Sequence, residues 1–355
     1  MAYTTIDKGS KYFTANLHTG NGSTQTITGL NFKPDLVWAK TRVAANSHKL
    51  YDSVRGVSKA LYSNSTTAEA NDSPYGVTSF NSDGFSLNDD SIGDYGVNGG
   101  SGGTYSGTPP NYVTWNWLGS NTTVSNTSGS ITSTVSVNTT SGFSIVSYTG
   151  TATAGATVGH GLGAVPKMLI IKQRNANSNW IVYHVSTGNT GDLKLQATSA
   201  FGIDINDWNN TTPTSSVFTL GNGTPNQAGT MIAYCFAEVK GFSKFGSYTG
   251  NGSTDGTFIY TGFKPAFIMT KSYSGYTGYW TNFDSTRSPT NTGSTAALWP
   301  NASDAEGPYP LDILSNGFKI RTTSATLNQS AAGYIYMAFA SNPFVTSGGI
   351  PVTAI

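Results

Sequence analysis

A six-residue sequence that occurs twice constrains the fold of this chain more than any other feature. Thr-Gly-Asn-Gly-Ser-Thr stands at residues 19–24 and again at 249–254, each time followed by Phe-Lys-Pro and an apolar run. A more diverged copy begins at Tyr148-Thr149-Gly150. Landmarks that recur in the same order indicate a duplicated structural unit. The sequence therefore predicts three tandem copies of one module.

Further landmarks follow each copy in the same order. Each has a proline, an apolar run and then a lysine, at residues 34–40, 166–172 and 265–271. An aromatic residue follows eleven or twelve positions after that lysine, at Tyr51, Tyr183 and Phe283. Each copy then ends in an aromatic segment, and these segments are 112–117, the run around Tyr234 and Phe236, and 334–339.

The residues of the shared pattern favour β-structure. The Asn-Gly pairs supply the positive φ angles of tight hairpin turns, and alternating polarity flanks them. The prolines fall where strands begin, since a missing N–H costs no ladder bond there. The runs after them are apolar at consecutive positions, which predicts strands covered on both faces. Gly, Pro and β-branched residues interrupt every longer helical stripe, so we expect few, short helices.

We expect an all-β fold of three tandem β-sandwich units that resemble jelly rolls, because about 100 residues is the size of one such unit. The predicted units are 1–119, 142–240 and 241–345, with a connector at 120–141 and a tail at 346–355. The connector is rich in Ser, Thr and Asn. It is either a flexible linker or an edge strand, because Ile131, Val135 and Val137 alternate with polar residues.

Composition excludes several classes of partner. The formal net charge is +1 and only 10% of residues are charged, which predicts no nucleic-acid binding and no electrostatic attraction to membranes. The aliphatic runs are far shorter than the ~20 residues of a membrane span. The first eight residues lack the apolar core of a signal peptide, so we expect release by host lysis. Cys235 is the single cysteine, and we interpret it as a small buried hydrophobe.

No catalytic motif is present in the sequence, so we predict a protein that is not an enzyme and needs neither cofactor nor metal. The four histidines are scattered. Asp52 and Asp284 each stand in an Asp-Ser-x-Arg sequence, which favours a turn braced by an Asp–Arg hydrogen bond over a glycosidase pair. The acidic loop 88–94 lacks the residue order of an EF-hand, and we interpret it as a polar turn.

Aromatic residues in polar loops are the candidate binding residues. A ring flanked by Asn and Asp suits a sugar face and its hydroxyl groups. The alternative is that these rings cap the ends of the sandwiches or pack on a neighbouring subunit. The candidate glycan-binding residues are Asp207, Trp208, Tyr273, Tyr276, Tyr279 and Trp299.

Several segments resemble a repeat module of virion proteins from tailed bacteriophages, particularly marine ones, and its companion module. Together they span nearly the whole chain. The segments that carry the resemblance are 32–40, 50–56, 78–85, 159–167, 234–239 and 342–349.

The resemblance implies a structural or adhesive phage protein, of the kind labelled tail fibre or receptor-binding protein, and supplies no catalytic residues. One hypothesis is a homotrimeric fibre or spike on the virion exterior that binds a host-surface glycan. The second is a purely structural role, as capsid decoration, head fibre or adaptor, with other virion proteins as partners. A depolymerising glycosidase ranks behind both.

Overall fold

The computed structural model describes residues 4–88, 96–100 and 109–343. Within these ranges the α-helices are α1 (Ile205–Trp208) and α2 (Ala325–Asn328), of four residues each. Short 3₁₀ turns occupy Gly9–Lys11 and Thr224–Asn226. The predicted all-β fold with few, short helices is confirmed. No helix in the described part of the chain is both long and apolar enough to cross a bilayer.

The first large sheet comes from the amino-terminal part of the chain. Six strands pair in the order β1-β9-β3-β4-β5-β6, and three more form a small sheet in the order β2-β8-β7. The strands are β1 (Phe13–Thr19), β2 (Gln25–Thr28), β3 (Leu36–Thr41), β4 (Lys49–Asp52), β5 (Lys59–Tyr62), β6 (Ala70–Asn71), β7 (Gly76–Asn81), β8 (Gly84–Asn88) and β9 (Asn111–Trp117).

The second large sheet has eight strands, in the order β10-β11-β12-β19-β14-β15-β16-β17, and β13 pairs with β18 beside it. Both β10 and β11 lie in the predicted connector, which therefore adds two strands at one edge of this sheet, with β10 outermost, rather than forming a flexible linker. The strands are β10 (Val124–Asn126), β11 (Ser133–Asn138), β12 (Phe143–Gly150), β13 (Ala156–Gly159), β14 (Pro166–Gln173), β15 (Trp180–His184), β16 (Gly188–Lys194), β17 (Gly202–Ile203), β18 (Val217–Leu220) and β19 (Gly229–Ala237).

The third large sheet has four strands, in the order β20-β28-β22-β23. Two small sheets accompany it, β21-β27-β26 and β24-β25. The strands are β20 (Ser243–Thr249), β21 (Phe258–Tyr260), β22 (Phe263–Ser274), β23 (Thr281–Asp284), β24 (Thr295–Ala297), β25 (Gly307–Tyr309), β26 (Leu311–Leu314), β27 (Gly317–Ile320) and β28 (Gly333–Pro343).

The central strands follow one order in all three large sheets, namely β1-β9-β3-β4, β12-β19-β14-β15 and β20-β28-β22-β23. The three prolines of the sequence pattern stand at equivalent places. Pro34 precedes β3, Pro166 begins β14, and Pro265 lies at a register shift near the start of β22. The division into three β-sandwich units and the boundaries of these units stay a prediction, and the tail 346–355 lies outside the described residues.

The repeated hexapeptide forms the same turn in both places. In each copy the Asn side chain accepts a hydrogen bond from the backbone N–H of the Ser two residues later, at 2.9 and 3.0 Å. The second Gly has a positive φ, 68° in one copy and 69° in the other. The turn joins β1 to β2 and β20 to β21, which lie in different sheets. The expected tight hairpin is therefore wrong, because the turn carries the chain across to the small sheet.

Strand β3 shows how each large sheet is covered on both faces, as the consecutive apolar residues predict. All six of its residues are buried. Val37 and Ala39 pack with the small sheet of the first part of the chain, in a cluster that includes Phe85. Leu36 and Trp38 point to the other face, into a cluster shared with the other two large sheets. Alternation along one strand thus divides its side chains between two cores.

Three aromatic rings from equivalent last strands meet inside the shared cluster. Trp117 on β9, Phe236 on β19 and Phe339 on β28 are each at most 2% exposed. Their ring centroids are 6.3, 5.8 and 5.9 Å apart, so the three rings form a triangle. The three large sheets therefore pack face to face around one common core.

Candidate functional site

The structure does not bring the six candidate glycan-binding residues together. Asp207 and Trp208 lie in α1, beside the eight-stranded sheet. Tyr273 lies near the end of β22, whereas Tyr279 contacts Trp299. The candidates therefore occupy separate places in the fold.

Trp208 is a core residue, which corrects the expectation of an exposed ring. Its side chain is 1% exposed, and its Nε1 donates a 3.1 Å hydrogen bond to the carbonyl of Gly191. Its ring packs edge to face with Tyr183 at 5.8 Å. The polar neighbours in the sequence mislead because α1 is a single turn that turns the indole inward while Asn209 and Asn210 face solvent. This ring presents no face to a sugar.

Asp207 is also buried, at 2% exposure. Burial raises the pKa of its carboxyl group to about 7, and the nearby Asp192 and Asp204 carboxylates act in the same direction. A carboxyl group this deeply buried cannot be reached by an external ligand. The raised pKa of Asp207 therefore affects the stability of the protein rather than ligand binding.

Tyr273 and Tyr276 are partly buried and pack against the shared cluster. Tyr273 lies against Gly333, where an added Cβ would come within 2.6 Å of its ring. Tyr276 lies against Gly278 in the same way, at 2.7 Å. Both rings therefore cover the end of the third sheet, which is the capping arrangement that the sequence left open as the alternative.

Tyr279 and Trp299 do lie together, at an open cleft. The cleft has a volume of about 330 Å³ and is lined by Tyr279, Trp299, Asp304, Ala305 and Tyr309. We call this set of residues the aromatic cleft. The ring centroids of Tyr279 and Trp299 are 6.2 Å apart, and those of Trp299 and Tyr309 are 6.1 Å apart. Tyr279 is 41% exposed.

Local structure places the rings of the aromatic cleft. Tyr279 directly precedes the buried Trp280, whose backbone N–H donates 2.8 Å to the side chain of Asn301. A turn from Trp299 to Ala302 is closed by a 2.9 Å backbone hydrogen bond. Gly307 makes room for the indole, because a Cβ there would lie 2.8 Å from the Trp299 ring. The Trp299 ring is thus supported by backbone, and the position of Tyr279 is fixed through the hydrogen bond of its neighbour Trp280 to Asn301.

One polar atom of the aromatic cleft is unusual. Nε1 of Trp299 is buried and has no hydrogen-bond partner among the described residues. A buried N–H that makes no hydrogen bond costs about 1–3 kcal/mol. Such groups are uncommon in folded proteins. Nε1 of the core residue Trp117 is likewise buried without a partner, so this feature does not by itself mark Trp299 as a binding residue.

Sequence reasoning missed two residues of the aromatic cleft, Asp304 and Tyr309. Tyr309 is held between Pro308 and Pro310 and ends β25, which pairs with β24. An aromatic residue between two prolines, near another aromatic loop, was a signal available in the sequence. Asp304 had no comparable signal, because it reaches the cleft only through the turn after Trp299.

The two repeated aspartates lie in buried ion pairs. Asp52 accepts a 2.8 Å hydrogen bond from the backbone N–H of Arg55, and its other oxygen is bound by the Arg55 guanidinium. Asp284 and Arg287 repeat both contacts. Both aspartates are 0% exposed, so neither faces a cleft that a polysaccharide could enter. The predicted turn bracing is confirmed for both.

The remaining titratable candidates are structural. Burial lowers the pKa of His18 and of His184 to about 4, and burial raises the pKa of the Cys235 thiol. No group of three or more His, Cys, Asp or Glu side chains in residues 4–88, 96–100 and 109–343 is placed to hold a metal ion. Most of the acidic loop 88–94 lies outside these residues.

The fold and the site define an all-β protein in which three large sheets share a core and an aromatic cleft opens beside the third. The chain belongs to the family described as a domain of unknown function, DUF7483, whose model matches residues 8–343. No curated protein and no solved structure matches it.

Proposed function

We propose that this protein is a structural protein of a bacteriophage virion, of the tail fibre or spike type, and that it attaches the particle to a host-surface glycan. The resemblance of its sequence segments to virion repeat modules supports the class. The aromatic cleft supports the binding role, because Tyr279, Trp299 and Tyr309 offer apolar ring surface next to the carboxylate of Asp304. This cleft is the observation that carries the proposal.

The rigid support of the aromatic cleft also favours binding. Trp299 lies against the backbone of Gly307, and the backbone N–H of Trp280, next to Tyr279, is bonded to Asn301. A site whose rings are already held in place loses little conformational entropy when a ligand binds. Glycans bind weakly one residue at a time, so an attachment protein gains avidity by presenting several copies of its site. We propose a homotrimer on the virion exterior, released by lysis.

The experiment measures attachment of the purified, fluorescently labelled protein to host cells and to a glycan array. Tyr279→Ala should reduce binding about tenfold, because a stacked ring contributes about 1 kcal/mol or more. Tyr260→Ala is the matched control, since Tyr260 is 60% exposed on β21 and lies outside the cleft lining. Equal attachment by wild type and Tyr279→Ala would overturn the role of the cleft.

A second candidate function is favoured by a different observation. β21 is an edge strand of its small sheet and exposes Phe258 and Tyr260, at 43% and 60%. Exposed aromatic side chains on a free sheet edge suit contact with another protein. In that case the protein is a capsid decoration or adaptor protein, and Tyr260→Ala should lower its incorporation into particles. Attachment of isolated protein to cells distinguishes the two functions.

The glycosidase hypothesis has less support. Its candidate carboxylates, Asp52 and Asp284, are both buried and bound to arginines. Release of reducing sugar from host polysaccharide by purified protein would revive it.

Light scattering of the purified protein tests the homotrimer, which requires a mass of three chains.

A further inference from the structure

We propose that the aromatic cleft binds an ammonium group carried by the host-surface glycan. This inference rests on the proposed function, since it names the chemical class of ligand at the same site. Two sources share the relevant chemistry: the quaternary ammonium of a choline substituent and the primary ammonium of an amino sugar.

The rings of the aromatic cleft are inclined to one another rather than coplanar. The planes of Tyr279 and Trp299 are inclined by 56°, and those of Trp299 and Tyr309 by 78°. A sugar ring stacks on the face of one aromatic ring. A cation is attracted to the face of each surrounding ring, and inclined rings can direct several faces toward one point. Quaternary ammonium ions are recognised by cages of this type.

The charges at the cleft suit a cation. Asp304 is the single charged residue among those that line it, and it is exposed. Glu306, two residues away, is bound by Arg42 at 2.9 Å and by Arg287 at 3.1 Å. Because these neighbouring charges are paired with each other, the carboxylate of Asp304 is the charge that a ligand in the cleft would meet. A carboxylate beside aromatic walls favours a positively charged ligand.

The size of the cleft agrees with a small head group. A volume of about 330 Å³ is near the lower limit of ligand sites, which range from about 300 to 1,000 Å³. A cleft of this volume can hold a substituted ammonium group together with the sugar ring that carries it. The cleft therefore accommodates a small part of a polymer.

The test measures binding of three small probes by isothermal titration calorimetry at slightly acidic pH. Tetramethylammonium represents a choline substituent, glucosamine represents an amino sugar, and N-acetylglucosamine is the neutral match to glucosamine. At least one ammonium probe should bind with a Kd of about 1 mM, as expected for a few cation–ring contacts. N-acetylglucosamine should bind at least tenfold more weakly. Which ammonium probe binds more tightly identifies the source.

Variants then locate the binding. Tyr279→Ala and Asp304→Asn should each weaken binding of the ammonium probe, by about tenfold and a few-fold respectively. Tyr260→Ala should leave it unchanged. Both altered residues are exposed, so circular dichroism should show folded protein in every case. Loss of binding in Tyr260→Ala, or unchanged binding in Tyr279→Ala, would overturn the assignment to this cleft.

Failure of this inference can be separated from failure of the proposed function. If the protein binds N-acetylglucosamine as tightly as glucosamine and tetramethylammonium, and Tyr279→Ala abolishes this binding, the ammonium inference is wrong while glycan attachment through the cleft stands. A second outcome is that neither ammonium probe binds even at a concentration ten times the expected Kd, while the protein still attaches to cells through Tyr279. In that case too the ammonium inference is wrong and glycan attachment through the cleft stands. If the wild type binds neither probes nor cells, the proposed function fails as well.

Discussion

The hydroxyl group of Tyr234 on β19 donates a 2.7 Å hydrogen bond to Oδ2 of Asp52 on β4, so a side chain of the second large sheet binds a buried carboxylate of the first. A counterpart joins the third sheet to the first, where Nε1 of Trp115 donates 3.0 Å to Asp284. At the equivalent place in the second sheet, Nε2 of His184 bonds to the carbonyl of Tyr336, at 3.2 Å. Each large sheet is therefore tied to a neighbour by a polar contact inside an apolar core.

Asp52→Asn should destabilise the protein by about 3 kcal/mol or more. The substitution removes one carboxylate partner of the fully buried Arg55 guanidinium and leaves Glu69 as the other, and breaking a buried ion pair costs about 3–5 kcal/mol. Chemical denaturation followed by tryptophan fluorescence measures the loss. Asp7→Asn is the control, because the Asp7–Lys11 pair is on the surface and should contribute nothing measurable. Equal stability of the two variants would contradict the structural role of Asp52.

Phe339→Ala should lower the free energy of unfolding by about 3–5 kcal/mol, because it opens a cavity between Trp117 and Phe236 at the centre of the shared core. Phe258→Ala is the control, since that ring is 43% exposed.

Differential scanning calorimetry should show one transition for the wild type, because the three large sheets share this cluster. Separate transitions for three parts of the chain would contradict the shared core.

Asp207→Asn should change how stability depends on pH. Burial, assisted by Asp192 and Asp204, raises the Asp207 pKa from 3.8 to about 7, so the folded state holds a proton that the unfolded state releases above about pH 4. Stability from this group is therefore lost as pH rises from about 4 to 7. The Asn variant lacks that loss, so its stability relative to wild type should increase across this range. A constant difference between the two proteins would contradict the raised pKa.

His184 should act in the opposite direction. Burial lowers its pKa from 6.5 to about 4, so the unfolded state binds a proton that the folded state excludes between these values. The stability due to neutral His184 is lost as pH falls through this window. His184→Gln keeps a hydrogen-bond donor for the Tyr336 carbonyl and cannot be protonated. Its melting temperature should fall less than that of the wild type between pH 6.5 and 4, and parallel curves would disprove the prediction.

Residue patterns predicted local structure well where that structure depends on residues close together in the sequence. The consecutive apolar residues of β3 predicted a strand covered on both faces, because alternate side chains must point to opposite sides whatever the fold. Asp52 and Arg55 predicted a braced turn, because residues three apart can reach each other without help from distant parts of the chain. The sequence predicted the positive φ angle of the Asn-Gly turn but not which strands the turn connects. The same turn can join two strands of one sheet or two strands of different sheets.

The composition and the repeated pattern of this chain determined that it is all-β, with its prolines at the starts of equivalent strands. Only the tertiary structure decided which aromatic rings are covered. Trp208 and Trp299 stand in similar polar sequences, yet one lies in the core and the other at an open cleft with Tyr279, Asp304 and Tyr309. The reason is physical: exposure depends on which distant segment packs over a ring, and no short stretch of sequence specifies that contact.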